Sequence, residues 1–290
     1  MNSRLGLGEP RKLPHAPFDD LWDRIILPEG TKESVVNQIL LELTVRGNVP
    51  PGAAPLHGLL LLTGPPGTGK TSLARAAPSR AARALKGQPM TFVEVEPHSL
   101  TSSAMGKTQK RVHELFMTTI RELAANGPLV VLLDEAETLA ADRQKLSLEA
   151  NPIDIHRATD AVLASLDQLA QDFPQLLFIA TTNFEKALDG AFASRADYVL
   201  RFDRPDAIAR EAILRDTFAQ LGQRWPQIGK LAENGGLKGV VEASAGLDGR
   251  QLRKVILQAC ATDRKTALDP NKLGLDQVVQ VLRQIKGATK

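Results

Sequence analysis

Leu61-Leu62-Thr63-Gly64-Pro65-Pro66-Gly67-Thr68-Gly69-Lys70-Thr71 is an apolar strand that runs directly into G-x-x-x-x-G-K-T, and Ala-rich, helix-forming sequence follows it. Gly64, Gly67 and Gly69 let the backbone turn tightly enough for successive N–H groups to converge on phosphate oxygens. A helix opening near Lys70 adds the positive end of its dipole. The Lys70 ammonium is expected to reach the β- and γ-phosphates, and the Thr71 hydroxyl to hold Mg²⁺. Pro65, Pro66, Thr68 and Ser72 complete the set expected around the phosphates. A Gly/Pro turn of this spelling is the plain alternative. The strand before it and the helix after it, both of which the phosphate loop requires, argue against that alternative.

Farther along, Val130-Val131-Leu132-Leu133-Asp134-Glu135 is a second apolar strand, ending in two acids. At the carboxyl end of a sheet strand Asp134 would lie beside the phosphate loop and orient Mg²⁺, directly or through water. Glu135 is placed to polarise a water for in-line attack on a γ-phosphate. The next strand ends Ala180-Thr181-Thr182-Asn183. An amide there can hydrogen-bond the γ-phosphate or the attacking water, although Asn also commonly opens a turn. The order of the three motifs favours the functional reading.

Around these motifs, five short apolar runs (residues 59–63, 91–95, 129–133, 177–181 and 198–202) alternate with longer helical patterns. That alternation predicts an α/β domain with a five-stranded parallel sheet and helices on both faces. Residues 31–46 carry Val35, Val36, Ile39, Leu40 and Leu43 at helical spacing. From Arg204-Pro205-Asp206 onward no strand pattern recurs, and residues 207–221, 239–244, 249–264 and 275–285 read as helices. The expected organisation is a loose lead-in over residues 1–17, a large α/β domain over 18–204 and a small all-helical domain over 205–290. Pro78 falls inside the helix after the phosphate loop. An interior proline is unfavourable by about 3 kcal/mol, so a kink or early end is expected there.

The bulk properties are those of an ordinary globular chain. The 290 residues are 43% hydrophobic and 24% charged, with 36 basic and 33 acidic side chains and a net charge of +3. So small an excess argues only weakly for nucleic acid. The single cysteine, Cys260, excludes an intrachain disulfide, and its apolar neighbours suggest a buried small hydrophobe. The N-terminus lacks a signal-peptide core, and no apolar run approaches a membrane span, so a cytoplasmic location is expected. The five histidines show no metal-ligand spacing.

Taken together, residues 64–71, 130–135 and 183 resemble the Walker A, Walker B and sensor 1 motifs of the AAA+ ATPases. Within that superfamily the chain looks most like the HORMA-domain remodellers, those similar to pachytene checkpoint protein two and thyroid receptor interacting protein thirteen, including compact bacterial relatives in CBASS anti-phage operons. His98-Ser99-Leu100, Asp134-Glu135-Ala136-Glu137, Asn151-Pro152-Ile153-Asp154, Leu166-Asp167-Gln168-Leu169 and the run from Thr181 through Asp189-Gly190-Ala191-Phe192-Ala193-Ser194-Arg195-Ala196-Asp197 carry this likeness.

The resemblance implies a ring, usually a homo-hexamer, that binds ATP at each subunit seam. It assigns Arg195 as an arginine finger acting in trans, a role suited to a fixed planar cation. It also assigns Arg250 as sensor 2, and Ile25 and Ile26 as the sandwich around adenine. Pore loop 1 falls on Ala104, Met105 and Lys107, where the relatives' large aromatic is missing; the adaptable Met105 could press on varied side chains in its place. Pore loop 2 falls on Arg143 and Lys145. The implied client is a HORMA-domain protein threaded by its N-terminal segment, whose release switches off a cyclic-nucleotide synthase. Two other classes stand beside this one. One is a DNA-handling AAA+ ATPase of the clamp-loader or transposition-regulator type, for which no zinc spacing, helix-turn-helix or aromatic–basic pattern is present. The other is a nucleotide-gated scaffold that does not hydrolyse.

Overall fold

The computed structural model describes residues 6–50, 53–85, 89–96, 100, 107–140, 152–184, 187–233 and 235–288. Two compact units divide the chain. Met1–Ile25, Glu29–Gly64 and Lys70–Phe202 form the first; Ile26–Pro28, Pro65–Gly69 and Asp203–Lys290 form the second.

The first unit is built on β1 (Arg11–Leu13), β2 (Leu59–Thr63), β3 (Met90–Val95), β4 (Leu129–Leu133), β5 (Leu176–Thr182) and β6 (Tyr198–Arg201), in the spatial order β1-β3-β4-β5-β2-β6. All neighbouring pairs are parallel except β1 with β3. Every residue of β2, β4 and β5 is buried, which is why these strands read as unbroken apolar runs. One face presents Leu59, Leu61, Val131, Leu133, Phe178 and Ala180 to a core that includes Phe116, Leu166 and Leu169. The alternate residues Leu60, Leu62, Val130, Leu132, Leu177 and Ile179 are equally buried, so the sheet is covered on both sides.

The sheet has six strands, not five, and the sixth is antiparallel. Part of the supposed loose lead-in supplies it: Arg11 pairs with Phe92 and Leu13 with Met90. The Gly8 N–H donates to Glu94 O at 2.8 Å, and the Glu96 N–H to Gly6 O at 2.9 Å. Three residues between Pro10 and Pro14 are too few to show an alternation. The neighbouring edge holds them instead, and Arg11 Nη1 reinforces the pairing with a 2.9 Å bond to Glu94 Oε1.

The helices of this unit are α1 (Ala16–Arg24), α2 (Thr31–Thr44), α3 (Lys70–Ala84), α4 (Lys107–Glu114), α5 (Arg121–Ala124), α6 (Pro152–Asp172) and α7 (Gly190–Ala193). A π-helical stretch, Leu115–Ile120, joins α4 to α5. Of the expected kink or early end, the early end does not occur: α3 continues through Pro78. Its Ala74, Ala76, Ala77 and Ala81 are fully buried, and α1 and α2 pack against it. That burial offsets the missing hydrogen bond.

The second unit contains α8 (Ala207–Gly222), α9 (Pro226–Lys230), α10 (Lys238–Ala243), α11 (Gly249–Cys260), α12 (Arg264–Leu268) and α13 (Leu275–Ala288), and no strand among its described residues. Its core gathers Leu214, Phe218, Ile228, Leu252, Val255, Ile256, Val278 and Leu282. The helix expected over residues 249–264 stops at Cys260. Asp263 caps a new helix there, accepting the Lys265 N–H at 2.9 Å. Cys260 is buried, and burial pushes its thiol up from the ordinary range.

Candidate functional site

Parallel pairing brings the three sequence motifs to one sheet edge. Leu61 and Leu133 both lie opposite Ala180, so β2, β5 and β4 end side by side and release Gly64, Asn183 and Asp134 at the same edge. In such sheets the carboxyl edge is where ligands bind.

Gly64 has φ +141°, and a Cβ there would lie 2.2 Å from the Phe202 carbonyl oxygen; only glycine fits. Gly67 at +75° and Gly69 at +102° also occupy the left-handed half of backbone space. Within the second unit, a Cβ on Gly67 would lie 2.4 Å from the Asp248 carboxylate. The Thr68 hydroxyl donates to Pro65 O at 2.9 Å, closing the loop on itself. Lys70 opens α3 and is 5% exposed, and its Nζ donates to Gly64 O at 2.7 Å.

The acidic strand end is tied to both of its neighbours. Thr71 Oγ1 donates to Asp134 Oδ1 at 2.8 Å, and the Thr181 hydroxyl donates to the same oxygen. Thr181 Oγ1 in turn accepts the Glu135 backbone N–H at 3.3 Å. Glu135 adopts φ +54°, ψ +53°, the one left-handed non-glycine among the described residues. Such a conformation is unfavourable by roughly 1–2 kcal/mol, and it turns the exposed Glu135 side chain off the strand. Two residues on, Glu137 Oε1 accepts the Asn183 N–H at 3.3 Å, while Glu137 Oε2 is buried with no hydrogen-bond partner among the described residues. Asn183 itself is half-buried.

Arg195 follows α7. Its Nε and Nη2 donate to the two carboxylate oxygens of Asp167 at 2.7 Å each, and Nη1 donates to Ala191 O at 2.8 Å. The guanidinium holds the Asp167 carboxyl below the usual range, and Asp167 raises Arg195 in return. The protomer by itself thus shows Arg195 in an internal bidentate ion pair. Arg250 sits in the first turn of α11, behind an Asp248–Gln251 capping box, and is exposed. Ile25 is buried in the first unit, whereas Ile26 packs on the core of the second. Ala104, Met105, Arg143 and Lys145 lie outside the described residues, as does the side chain of Lys107.

Thr181, Glu137 and Asp167 escaped assignment in the sequence, although each lies in a quoted motif. A hydroxyl in the penultimate strand position was the one signal for Thr181.

The chemistry on this edge suits a phosphate-bound hard cation. Thr71 and Asp134 present oxygen donors 2.8 Å apart. Among the described residues no group of three or more His, Cys, Asp or Glu side chains is placed to hold a metal. A small oxygen donor set fits Mg²⁺, which keeps waters and takes its remaining ligands from phosphate.

Comparison with known proteins agrees with this geometry. Residues 60–204 match the family of ATPases associated with various cellular activities (AAA). CD-NTase-associated protein 6 of Pseudomonas aeruginosa is 50% identical over 97% of this chain and 92% of that protein. The pachytene checkpoint protein 2 homologue of Oryza sativa subsp. indica is 31% identical over 86% of this chain, and the chain spans 60% of its length. In three dimensions the fold resembles a chain from the structure of the E. coli MS115-1 HORMA:CdnC:Trip13 complex, with a TM-score of 0.77, 20% identity and coverage of 97% and 96% of the two chains. C. elegans PCH-2 gives 0.75 at 23% identity, covering 99% of this chain and 76% of that one. The chain belongs to the AAA family of ATPases and is related to CD-NTase-associated protein 6 and the pachytene checkpoint protein 2 homologues.

Proposed function

We propose that this chain hydrolyses ATP within a homo-hexameric ring and uses the cycle to pull apart a complex containing a HORMA-domain protein. The observation that supports the catalytic half is the hydrogen-bonded series Thr71–Asp134–Thr181–Glu135 at one strand end, where this reading needs a cation site and a base. The client half is supported by the 50% identity to a CD-NTase-associated protein and by the fold shared with a HORMA:CdnC:Trip13 complex. Release of the HORMA protein from its cyclic-nucleotide synthase would switch that synthase off in the cytoplasm of a bacterium. The DNA-handling reading gains nothing from these relatives.

In this reading the loop N–H groups and Lys70 neutralise the phosphates, and Arg250 adds a cation from the first turn of α11. Ile25 and Ile26 flank the base. Thr71 and Asp134 would hold Mg²⁺, which when bound would neutralise phosphate charge. Glu135 accepts a proton from the attacking water, and Asn183 orients that water. Arg195 of an adjoining protomer stabilises the charge on the transferring phosphoryl group. Ala104, Met105, Lys107, Arg143 and Lys145 are the residues we assign to gripping the client.

The test is E135Q. It is expected to bind ATP and client while lowering phosphate release on the order of 10²- to 10⁴-fold, the usual contribution of a general base. If E135Q disassembles a HORMA–synthase complex as fast as wild type, the reading is wrong.

A further inference from the structure

The charged surroundings of Arg195 extend beyond Asp167. His57, just ahead of β2, lies between two carboxylates. Its Nε2 is 3.8 Å from Asp167 Oδ1, the same oxygen that accepts Arg195 Nε at 2.7 Å. Its Nδ1 is 3.8 Å from Asp197 Oδ1. The His57 backbone N–H bonds both Asp197 oxygens at 3.0 Å, and the Leu59 N–H bonds Asp197 Oδ2 at 3.1 Å. Asp197 is 4% exposed at its side chain, so the residue that anchors His57 is itself held in place. The His57 backbone is therefore anchored, with its imidazole 3.8 Å from Asp167.

We propose that His57 is a positioning residue for Arg195, acting through Asp167. This rests on Arg195 serving as the trans finger. A neutral imidazole leaves both Asp167 oxygens to the guanidinium. An imidazolium donates from both nitrogens and carries a charge that draws on Asp167 Oδ1 from 3.8 Å, weakening the Arg195 Nε bond to that oxygen and leaning the pair on the Nη2 bond. Bidentate pairing is what sets the plane of a guanidinium. A finger leaning on one bond presents a less fixed plane to a neighbour's phosphate.

Two further charged groups, Glu42 and Arg46, lie in the field of Asp197. The carboxyl of Glu42, on α2, is pushed up, first by burial and then by Asp197. The Arg46 guanidinium occupies the space beside Gly58, where a Cβ would lie 1.2 Å from Nη1. It bonds the carbonyls of Phe173, Pro174 and Leu176, and burial is the first cause that lowers it from its ordinary value. Neither bonds Asp167. Among the described residues, His57 is the one histidine within 4 Å of Asp167, and histidine is the side-chain type suited to a pH response near neutrality.

The experiment is steady-state ATP turnover by the full-length assembled protein from pH 8 to pH 6, for wild type, H57Q and R195A. Wild-type kcat is expected to fall several-fold on acidification with KM for ATP little changed, and H57Q to lose most of that fall. A wild-type profile without the step, or an H57Q profile that superimposes on wild type, overturns the inference. R195A tests the underlying reading separately: if it turns over like wild type, the finger assignment fails whatever His57 does. Should H57Q not assemble, the His57 titration is followed by NMR of ¹³C-labelled histidine in wild type and D167N. Loss of the Asp167 charge is expected to lower the His57 midpoint, and identical midpoints overturn the proposal.

Discussion

Thr181 holds Glu135 by its backbone: the Thr181 hydroxyl accepts the Glu135 N–H at 3.3 Å while giving its own proton to Asp134. One hydroxyl thus ties Asp134 and the start of the left-handed turn at Glu135, the residues proposed as cation ligand and base. T181A is expected to lower kcat about tenfold, equivalent to about 1.4 kcal/mol, with KM for ATP nearly unchanged. T181S keeps both hydrogen bonds and is expected to recover most of the loss. Full activity in T181A would show that Glu135 is aimed by something else.

Gly64 is required by shape. Its φ of +141° and the 2.2 Å that would separate a Cβ from Phe202 O leave no room for a methyl group. G64A is expected to destabilise the fold by roughly 2 kcal/mol or more, read as a lowered denaturant midpoint. It also displaces the carbonyl that accepts Lys70 Nζ, so nucleotide affinity is expected to fall with stability. A variant as stable as wild type would contradict the geometry.

Arg195 has a trans test that a local role would fail. R195A alone is expected to lose on the order of 10³-fold in kcat, the low end for such fingers. Mixed with E135Q protomers it is expected to regain part of the activity, because some seams then join intact acids to an intact arginine. Mixtures no more active than either parent would place the residue outside the seam.

Asp19 provides a pH-dependent strap between α1 and α3. It accepts Ser79 Oγ at 3.1 Å and pairs with Arg83, and the Arg83 bond is the largest cause holding its carboxyl below the ordinary value. A lowered folded pKa means that the stabilisation is present above the unfolded carboxylate value and is lost as pH falls through the folded one. D19N is therefore expected to melt a few degrees below wild type at pH 7, with the two curves converging in strong acid. A gap that persists at low pH would show that packing, not charge, is the cause.

The strands and phosphate loop were legible because each is a contiguous pattern. Leu59–Thr63, Leu129–Leu133 and Leu176–Thr182 are buried on both faces and so appear as apolar runs, and Gly64, Gly67 and Gly69 announce their own backbone needs. β1 was illegible because three residues carry no period; only an exposed β3 edge makes Arg11–Leu13 a strand. Asp167 and Arg195 come from different elements, 28 residues apart, and no local pattern links them.

By itself the chain's sequence carried the nucleotide-binding reading: the glycines, Lys70 and Thr71 stand on one short loop, and their pattern is local. The tertiary structure alone decided the partners. Parallel pairing set Asp134, Thr181 and Asn183 along one edge, and the packing of α6 and the β2 entry put Asp167 and His57 beside Arg195. Such contacts depend on which elements become neighbours in space, and that follows from burying both faces of the sheet, not from any one stretch of residues.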